Sequence, residues 1–312
     1  MAKKWSVYIA DAFAKELYGG NQAGVVILGE EEEFPQDSLM CRIAGELRHS
    51  ETAFVKSKGM GFEIRYFTPA GEVDLCGHAT IGAFEVMKQE GMIELGKFPL
   101  KTRAQELFID VESQGVWMDM ASPREGDTFS DQEAAKLYEA YGLAPRAGVD
   151  LKGYGPEGIC RLQPKIVSTG LSDIMLPVAD SGELQRAVQD DSLVCALSEQ
   201  YQVVGVHMFC MSTRPGILAE CRNFAPLYDI PEESATGTSN GALTWYLYGY
   251  GAVETGQESV FLQGETMGRP SCIKSRLLFS QGESLRKEKE KPLVRIGGEA
   301  RISLKGELTY EE

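Results

Sequence analysis

The sequence predicts an α+β fold with two similar domains, each a curved, mostly antiparallel sheet or barrel wrapped around a central helix. The chain has 312 residues, a length typical of two domains. Most segments alternate between apolar and polar residues, as strands do. Two helical segments begin without any charged residue, in residues 75–84 and 237–253. Because a helix that is apolar all round is buried, we expect each of them inside one domain.

The first half of the chain is predicted to be mainly strands around one buried helix. Apolar spacing predicts a surface helix over residues 37–47, with Asp37 or Ser38 as its N-cap. The buried helix is expected at residues 78–89, closed by Gly91. Alternation predicts the strands 5–10, 23–28, 51–55, 61–67, 98–102, 106–111 and 115–120.

The polar stretch Ser122–Gly126 is the predicted domain boundary. It divides the chain into domains 1–122 and 123–293, and a last strand at about 294–312 is expected to pack back onto the first domain. The Gly- and Pro-rich stretch 148–158 predicts an exposed loop. In the second domain we expect helices at 131–142 (with Asp131 near its cap), at 182–189 and from Gly237, and strands at 164–168, 173–178, 201–211, 218–224, 258–263, 271–279 and 294–304.

The starts of the two buried helices resemble each other. Cys76-Gly77-His78 aligns with Thr236-Gly237-Thr238, about half the chain length away, and a Phe and a Pro precede both. This similarity predicts an internal repeat. Helix N-termini offer unpaired N–H groups and a positive dipole end, so two of them in one cleft would suit a small carboxylate.

Composition excludes several classes of function. The formal net charge of −15 argues against nucleic acid and against anionic membranes as partners. The seven cysteines are odd in number and form no CxxC pair, which is typical of a reduced cytosolic protein. The N-terminus does not read as a signal peptide, and no window approaches the roughly 18 apolar residues of a membrane span. We therefore expect a cytoplasmic protein.

No metal or organic cofactor is predicted. Residues 153–158 match G-x-G-x-x-G by letter, but no strand is expected before them and no helix after them. The three histidines, His49, His78 and His207, are scattered along the chain, and paired thiols are lacking.

Five blocks, in order and spanning nearly the whole chain, resemble the PhzF-like (phenazine-biosynthesis) family of the diaminopimelate epimerase-like fold. They are DAFAKELYGGNQAGVVIL (11–28), HSETAFV (49–55), RYFTPAGEVDLCGHATIGA (65–83), EESATGTSNGALTWYL (232–247) and QGETMGRPS (263–271).

The resemblance implies a biosynthetic isomerase that works without metal or cofactor, often as a homodimer. Its partner would be a small carboxylated molecule in the cleft between the domains. The phenazine enzyme moves a proton along the ring system of a dihydro-hydroxyanthranilate. Its base corresponds to Glu51 of this chain.

Glu51 and His78 are the first two candidate catalytic residues. Burial would raise the pKa of Glu51, which would let it accept and return a proton near neutral pH. His78 would bind the substrate or help to move the proton. The structural alternatives are a solvated carboxylate at a strand end and a hydrogen-bonded histidine at a helix start.

Two further candidates depart from the family pattern. Thr238 stands where the phenazine enzyme has Ser, and Glu233 stands where the family usually has Asp. Both are predicted as catalytic, and the departures put the phenazine substrate itself in doubt. Gly77 and Gly237 would let substrate approach the backbone closely. Asn21, in a GGN turn, is the remaining candidate for substrate binding.

Cys76 and Thr236 separate two mechanisms. Epimerases and racemases of this fold use a cysteine ahead of each helix-start glycine as paired acid and base. Here the second position is Thr236, whose hydroxyl cannot serve as a base near neutral pH, so both residues are assigned to substrate binding. Cys76 also fits a small buried apolar residue. An amino-acid epimerase or racemase, and a non-catalytic protein that binds small molecules, remain the alternatives.

Overall fold

The computed structural model describes residues 3–29, 31–154, 158–280 and 291–310. Two compact units are present. The first comprises Met1–Asp119 with Gly297–Glu312, and the second comprises Met120–Ile296.

The first unit is a sheet with one helix on each face. Two helices form, α1 (Asp37–Leu47) and α2 (Gly77–Gln89). The strands are β1 (Lys3–Ala12), β2 (Asn21–Ile27), β3 (Thr52–Lys58), β4 (Gly61–Phe67), β5 (Glu72–Val73), β6 (Gly96–Lys101), β7 (Glu106–Glu112), β8 (Gly115–Asp119) and β20 (Ala300–Tyr310).

Most strand pairs in this unit are antiparallel. β1 lies between β2 and β20 and pairs antiparallel with both. β3 runs parallel to β2 and antiparallel to β4, and β4 in turn runs parallel to β6. Antiparallel pairs also join β4 to β5, β6 to β7, and β7 to β8. Helix α2 packs against β1, β2, β3, β7, β8 and β20, so the sheet wraps around it.

The second unit has four helices and eleven strands in the described residues. The helices are α3 (Asp131–Glu139), α4 (Ser181–Arg186), α5 (Asp191–Tyr201) and α6 (Gly237–Gly249). The strands are β9 (Arg124–Thr128), β10 (Val149–Lys152), β11 (Ile159–Leu162), β12 (Lys165–Ser168), β13 (Ser172–Pro177), β14 (Gly205–Met211), β15 (Ala219–Ala225), β16 (Ile230–Glu233), β17 (Glu258–Gln263), β18 (Ser271–Ser280) and β19 (Lys291–Gly298), which carries the chain back into the first unit.

The second unit repeats the pairing of the first. β13 runs parallel to β14, which is antiparallel to β15, and β15 runs parallel to β17. β12 is antiparallel to β13, as β1 is to β2, and β18 follows β17 as β7 follows β6. Helix α6 takes the place of α2 and packs against β12, β13 and β18. This is the predicted pseudo-repeat of two sheets, each wrapped around a central helix.

Absence of charge is what allows α6 to lie inside its sheet. Its 13 residues include no charged side chain, and nine of them are buried. α2 is charge-free up to Phe84; its buried Glu85 is satisfied by Lys88 and Gln89. Glycines set the closest approach to the strands: a Cβ at Gly82 would lie 3.1 Å from the Ala10 Cβ, and one at Gly241 would lie 2.7 Å from the Thr169 Oγ1.

Amphipathic helices cover the opposite faces of the sheets. In the first unit, Met40, Ile43 and Ala44 of α1 pack with Phe54 and Phe67. In the second unit, apolar residues of α3, α4 and α5 form a core with β12, β13, β14 and β15. The part of the chain described by the structure holds no helix that is both long and apolar enough to cross a membrane.

Several local predictions are wrong. Asp191–Tyr201 forms α5, capped by the Asp190 side chain, in a stretch where we expect no helix. The predicted boundary loop is partly strand, because Arg124–Thr128 pairs with β12. The predicted loop at 148–158 contains β10, which pairs with β11; residues 155–157 of the G-x-G-x-x-G match lie outside the described part of the chain.

The predicted cap of α1 is wrong, whereas Asp131 lies next to the cap of α3, as predicted. α1 is capped by Gln36, whose side chain makes no cap hydrogen bond, rather than by Asp37 or Ser38. The cap of α3 is Ser130, which forms a capping box with Glu133.

The contact at Gly241 supplies a test of this packing. We expect Gly241→Ala to lower the free energy of unfolding by about 1–3 kcal/mol, because the new methyl group would overlap the Thr169 Oγ1 and force α6 away from the strand. Urea unfolding followed by circular dichroism measures the change.

Gly249→Ala is the matched control. Gly249 is the last residue of the same helix, and a Cβ there meets no atom within 4 Å. The higher helix propensity of alanine should leave stability unchanged or raise it by up to about 1 kcal/mol. Equal losses in both variants would contradict the close packing of α6.

Candidate active site

Glu51 and His78 meet at the start of α2. Glu51 is the residue before β3, and its backbone carbonyl accepts a hydrogen bond from the N–H of Gly24 in the neighbouring strand β2. His78 is the second residue of α2. The Oε2 of Glu51 lies 3.3 Å from the Nε2 of His78, and the two side chains are 19% and 6% exposed.

Three more polar side chains surround the imidazole. The Ser50 hydroxyl lies 3.4 Å from Nε2. The Cys76 sulfur lies 3.5 Å from Nδ1 and 3.8 Å from Nε2. The Asn21 amide lies 3.3 Å from Nδ1. Each ring nitrogen therefore has polar neighbours, and the imidazole is held in one orientation.

Glu51 and His78 stabilise each other's charged form. Burial alone would raise the pKa of Glu51, but hydrogen bonding and charge interaction with His78, with help from Ser50, lower it. Burial alone would lower the pKa of His78, but Cys76 and Glu51 raise it well above its ordinary 6.5. The expected rise in the Glu51 pKa is wrong, because the ion pair outweighs burial.

Cys76 is a weaker acid in this environment than a free cysteine. Burial raises the pKa of its side chain, and the negative charge of Glu51 raises it further.

Cys76 is also the N-cap residue of α2, whose first turn carries no acidic side chain. The positive end of the helix dipole and the adjacent N–H groups are therefore not neutralised within the helix.

The start of α6 carries a hydrogen-bond loop centred on Gln263. Its amide oxygen accepts from the Thr236 backbone N–H (3.2 Å) and from the Asn240 side chain (2.8 Å). Its amide nitrogen donates to the Glu233 carbonyl (2.7 Å) and to the Thr236 hydroxyl (3.1 Å). That hydroxyl donates to the Glu233 carboxylate at 2.5 Å. The loop holds the residues ahead of Gly237 in a fixed conformation.

A buried polar network lies beneath this loop. The Ser239 hydroxyl donates to Asp173 at 2.5 Å, and the Asn223 amide contacts both Ser239 (3.1 Å) and the Nδ1 of His207 (3.2 Å). Burial raises the pKa of Asp173 to about 6. Burial also lowers the pKa of His207 to about 3, so this histidine is neutral.

The predicted residues fall into two groups. Asn21, Glu51, Cys76, Gly77 and His78 lie together in the first unit. In the second unit, Glu233 and Thr236 form a hydrogen bond with each other close to Gly237 in sequence. The Thr238 carbonyl accepts a hydrogen bond of 2.9 Å from the Thr169 hydroxyl. That the two groups share one cleft stays a prediction.

Sequence reasoning missed Gln263, Asn240, Ser239 and Asp173. Gln263 opens the block QGETMGRPS, and Asn240 and Ser239 lie within TGTSNGA, so both blocks signalled the region. Neither block indicates which of its side chains turn inward. Asp173 belongs to no block and carries no signal of its own.

One group of side chains in the described part of the chain has the composition of a metal site. Glu51, Cys76 and His78 offer one oxygen, one sulfur and one nitrogen, all within 4.8 Å of one another. Scattered histidines and the lack of paired thiols predict no metal site, but folding brings these three donors together.

The chain matches the family described as phenazine biosynthesis-like protein (PhzC-PhzF) over residues 10–306. The fold and this match define an isomerase-type protein of the diaminopimelate epimerase-like fold. The chain belongs to the PhzC-PhzF family of phenazine biosynthesis-like proteins.

Relatives agree with this assignment. An uncharacterized isomerase of Clostridium acetobutylicum is 31% identical over 321 residues, covering 99% of both chains. A crystal structure of a phenazine biosynthesis protein of the PhzF family from Bacillus anthracis superposes with a TM-score of 0.81 at 24% identity, covering 98% of this chain and 99% of that one. The fold extends to a hydroxyproline epimerase of Agrobacterium vitis, with a TM-score of 0.56 at 14% identity, covering 99% and 92%. The chain is an isomerase by family.

Asp173 gives a prediction about stability and pH. Its folded-state pKa of about 6 lies above its ordinary 3.8. Folding therefore favours the protonated form of Asp173. Its contribution to the free energy of unfolding is present in full below about pH 4 and is lost as the pH rises through about 6. The loss amounts to about 3 kcal/mol.

Asp173→Asn should remove this pH dependence. The measurement is urea unfolding at about pH 4 and at about pH 8. Between these two values we expect the free energy of unfolding to fall by up to about 3 kcal/mol more in the parent than in the variant. Asp190→Asn is the control, since Asp190 is an exposed helix cap whose pKa is lowered by its hydrogen bonds to Ser192 and Leu193. Identical pH profiles for parent and Asp173→Asn would contradict a raised pKa at this site.

Proposed function

We propose that this protein is a cofactor-independent isomerase that moves a proton between two carbons of a small carboxylated substrate, with Glu51 as acid and base. The observation that carries the proposal is the 3.3 Å contact between the Glu51 carboxylate and His78 in a largely buried site at a helix start. Family membership supports the isomerase class.

The lowered pKa of Glu51 means that the carboxylate is ionised at neutral pH. The ionised form is the one that can take a proton from carbon, so no prior deprotonation is needed. Glu51 takes the proton and becomes a carboxylic acid, and the C–H electron pair delocalises into the adjacent unsaturated or carboxylate-bearing system. Return of the same proton to a different carbon completes the isomerisation and restores the carboxylate.

His78 stabilises the charge that develops on the substrate. Its raised pKa keeps the imidazolium form at neutral pH. When Glu51 becomes protonated, it no longer balances the imidazolium charge, which is then free to interact with the substrate anion. The charge appears in a buried site, where such an interaction is stronger than in water.

The start of α2 is the proposed binding site for the substrate carboxylate. Its first turn carries no acidic side chain, and Gly77 adds no side chain between an anion and the backbone. This arrangement lets a chain of net charge −15 bind an anion without a lysine or arginine. Asn21 and Cys76, which contact His78, complete the proposed contacts on this side.

The start of α6 is the proposed second binding element. Gln263 and Glu233 hold Thr236 in place, which supports the conformation at Gly237 and Thr238. Glu233 is a proposed second proton donor or acceptor, and Thr238 a proposed hydrogen-bond donor. Both assignments come from the family pattern, and the Thr236 hydroxyl already donates to Glu233.

Epimerisation is the second candidate function. The Cys76 sulfur lies 3.5 Å from His78, whose positive charge would stabilise a thiolate, and the fold is also that of a hydroxyproline epimerase. The raised pKa of Cys76 and the presence of threonine at the position of a second thiol disfavour it.

Hydrogen exchange tests these alternatives without a known substrate. Small unsaturated carboxylates and amino acids are incubated with the protein in deuterated water, and NMR follows deuterium incorporation at carbon. We expect Glu51→Gln to reduce exchange at least about 100-fold, because the amide cannot accept the proton. Glu46→Gln, at an exposed position of α1, should exchange at the parent rate.

The other outcomes identify the rivals. Loss of exchange in Cys76→Ser with full activity in Glu51→Gln, accompanied by inversion at the Cα of an amino acid, would establish the epimerase. Tight binding of a carboxylate without exchange, equal in parent and Glu51→Gln, would indicate a binding protein. Either result would refute proton transfer by Glu51.

The family resemblance also implies a homodimer. Light scattering coupled to size-exclusion chromatography should give twice the 34.3 kDa chain mass. A mass equal to one chain at micromolar concentration would contradict the dimer and leave the assignment of Glu51 untouched.

A further inference from the structure

Glu51, Cys76 and His78 form the one mixed oxygen, sulfur and nitrogen cluster of this kind in the described residues. Cys76 and His78 are each 6% exposed, and the Glu51 side chain is 19% exposed. Exposed acidic groups often gather without a ligand, but these donors are largely buried and differ in chemistry. Chance clustering of surface charges therefore does not explain why these three donors lie together.

The three donor atoms lie within 4.8 Å of one another, and the carboxylate–imidazole distance equals that of a tetrahedral metal site. The Glu51 oxygen and the His78 Nε2 are 3.3 Å apart, and the Cys76 sulfur and the same Nε2 are 3.8 Å apart. Zinc bonds of 2.0–2.3 Å at tetrahedral angles place ligand atoms about 3.3–3.6 Å apart. The sulfur lies nearer to Nδ1 (3.5 Å) than to Nε2, so rotation of the Cys76 side chain toward Nε2 has to accompany metal binding.

The donor set selects the metal. Hard ions such as Mg²⁺ and Ca²⁺ require oxygen ligands, whereas a thiolate with an imidazole favours Zn²⁺. Three protein ligands leave the fourth tetrahedral position open to water or to a carboxylate. On binding, Cys76 would lose its thiol proton and the His78 imidazolium its Nε2 proton, both to solvent, so that a thiolate and a neutral imidazole hold the ion.

The neighbours of His78 suit this role. The Asn21 amide nitrogen lies 3.3 Å from Nδ1; with the amide group turned over, its oxygen would accept from an Nδ1–H and leave Nε2 as the ligand atom. Histidine ligands usually hold their second nitrogen in this way, which fixes the tautomer and the ring orientation. The assignment of the two amide atoms of Asn21 follows from the proton on Nδ1.

We propose that Glu51, Cys76 and His78 bind one Zn²⁺ ion, and that the ion inhibits the enzyme by occupying its base. The metal would coordinate the same carboxylate oxygen that faces His78, so Glu51 could not accept a proton while the ion is bound. The inhibition rests on the proposed function, whereas the metal site does not.

Metal binding is measured without substrate. Co²⁺ replaces Zn²⁺ as a coloured probe, and a thiolate ligand adds a charge-transfer band in the near ultraviolet. Calorimetry then gives the stoichiometry and affinity for Zn²⁺ in the reduced, chelator-treated protein. We expect one site per chain, a thiolate band with Co²⁺, and affinity lowered at least about 100-fold in Cys76→Ser and in His78→Gln.

Cys195→Ser is the matched control, because Cys195 is a free cysteine on α5 of the second unit, whereas the three donors belong to the first unit. It should keep the affinity and the Co²⁺ band of the parent. Circular dichroism verifies that each variant is folded, and Glu51→Gln, which preserves the shape of the side chain, provides an independent third variant with weaker binding.

The outcomes separate the two proposals. Loss of the Co²⁺ band in Cys76→Ser but not in Cys195→Ser supports the site. Parent-like Zn²⁺ affinity in Cys76→Ser and Glu51→Gln overturns it, whatever the exchange assay shows. If Zn²⁺ binds at the site but leaves hydrogen exchange unchanged at saturation, the inhibition is wrong; failure of Glu51→Gln to reduce exchange instead refutes only the proposed base.

Discussion

Each unit is built around a helix that has to lie against the inside of a sheet. Burial on that face disfavours charges that have no partner, and close packing around the helix favours small residues, as Gly82 and Gly241 show. The same requirement leaves α2 and α6 without acidic side chains in their first turns. A helix start that is uncharged for reasons of packing is also one whose dipole stays available to an anion.

Polar groups at the two helix starts are stabilised in different ways. At α2, Glu51 and His78 form an ion pair, and each holds the other in its charged form. At α6, neutral hydrogen bonds through Gln263 predominate, and the acid buried beneath them, Asp173, has a raised pKa instead. The first helix start is therefore held mainly by a pair of opposite charges, and the second mainly by hydrogen bonds. In the proposed mechanism, Glu51 and His78 of the first unit carry the proton transfer, and the start of α6 supports binding and supplies Glu233 as a second proton donor or acceptor.

Long apolar periods and motif blocks made much of the fold predictable. Most strands follow from periodicity, because burial of one face imposes it, and the helices at Gly77 and Gly237 follow from their lack of charged residues. Prediction fails where the determining contact is distant in sequence. Arg124–Thr128 is polar and exposed at every residue, and it becomes a strand only by pairing with β12. Gln263 becomes important only because β17 brings it to Thr236, 27 residues away.

The sequence alone determined the family, the fold class and the candidates Glu51, Cys76 and His78, because short motifs at helix starts and charge-free helices are local properties. The tertiary structure decided how these groups behave. Proximity of 3.3 Å between Glu51 and His78 reverses the direction of the pKa shift that burial alone predicts. Folding also brings together three metal-binding atoms that no spacing in the sequence reveals. Charge interactions depend on distance in space, and only folding sets that distance.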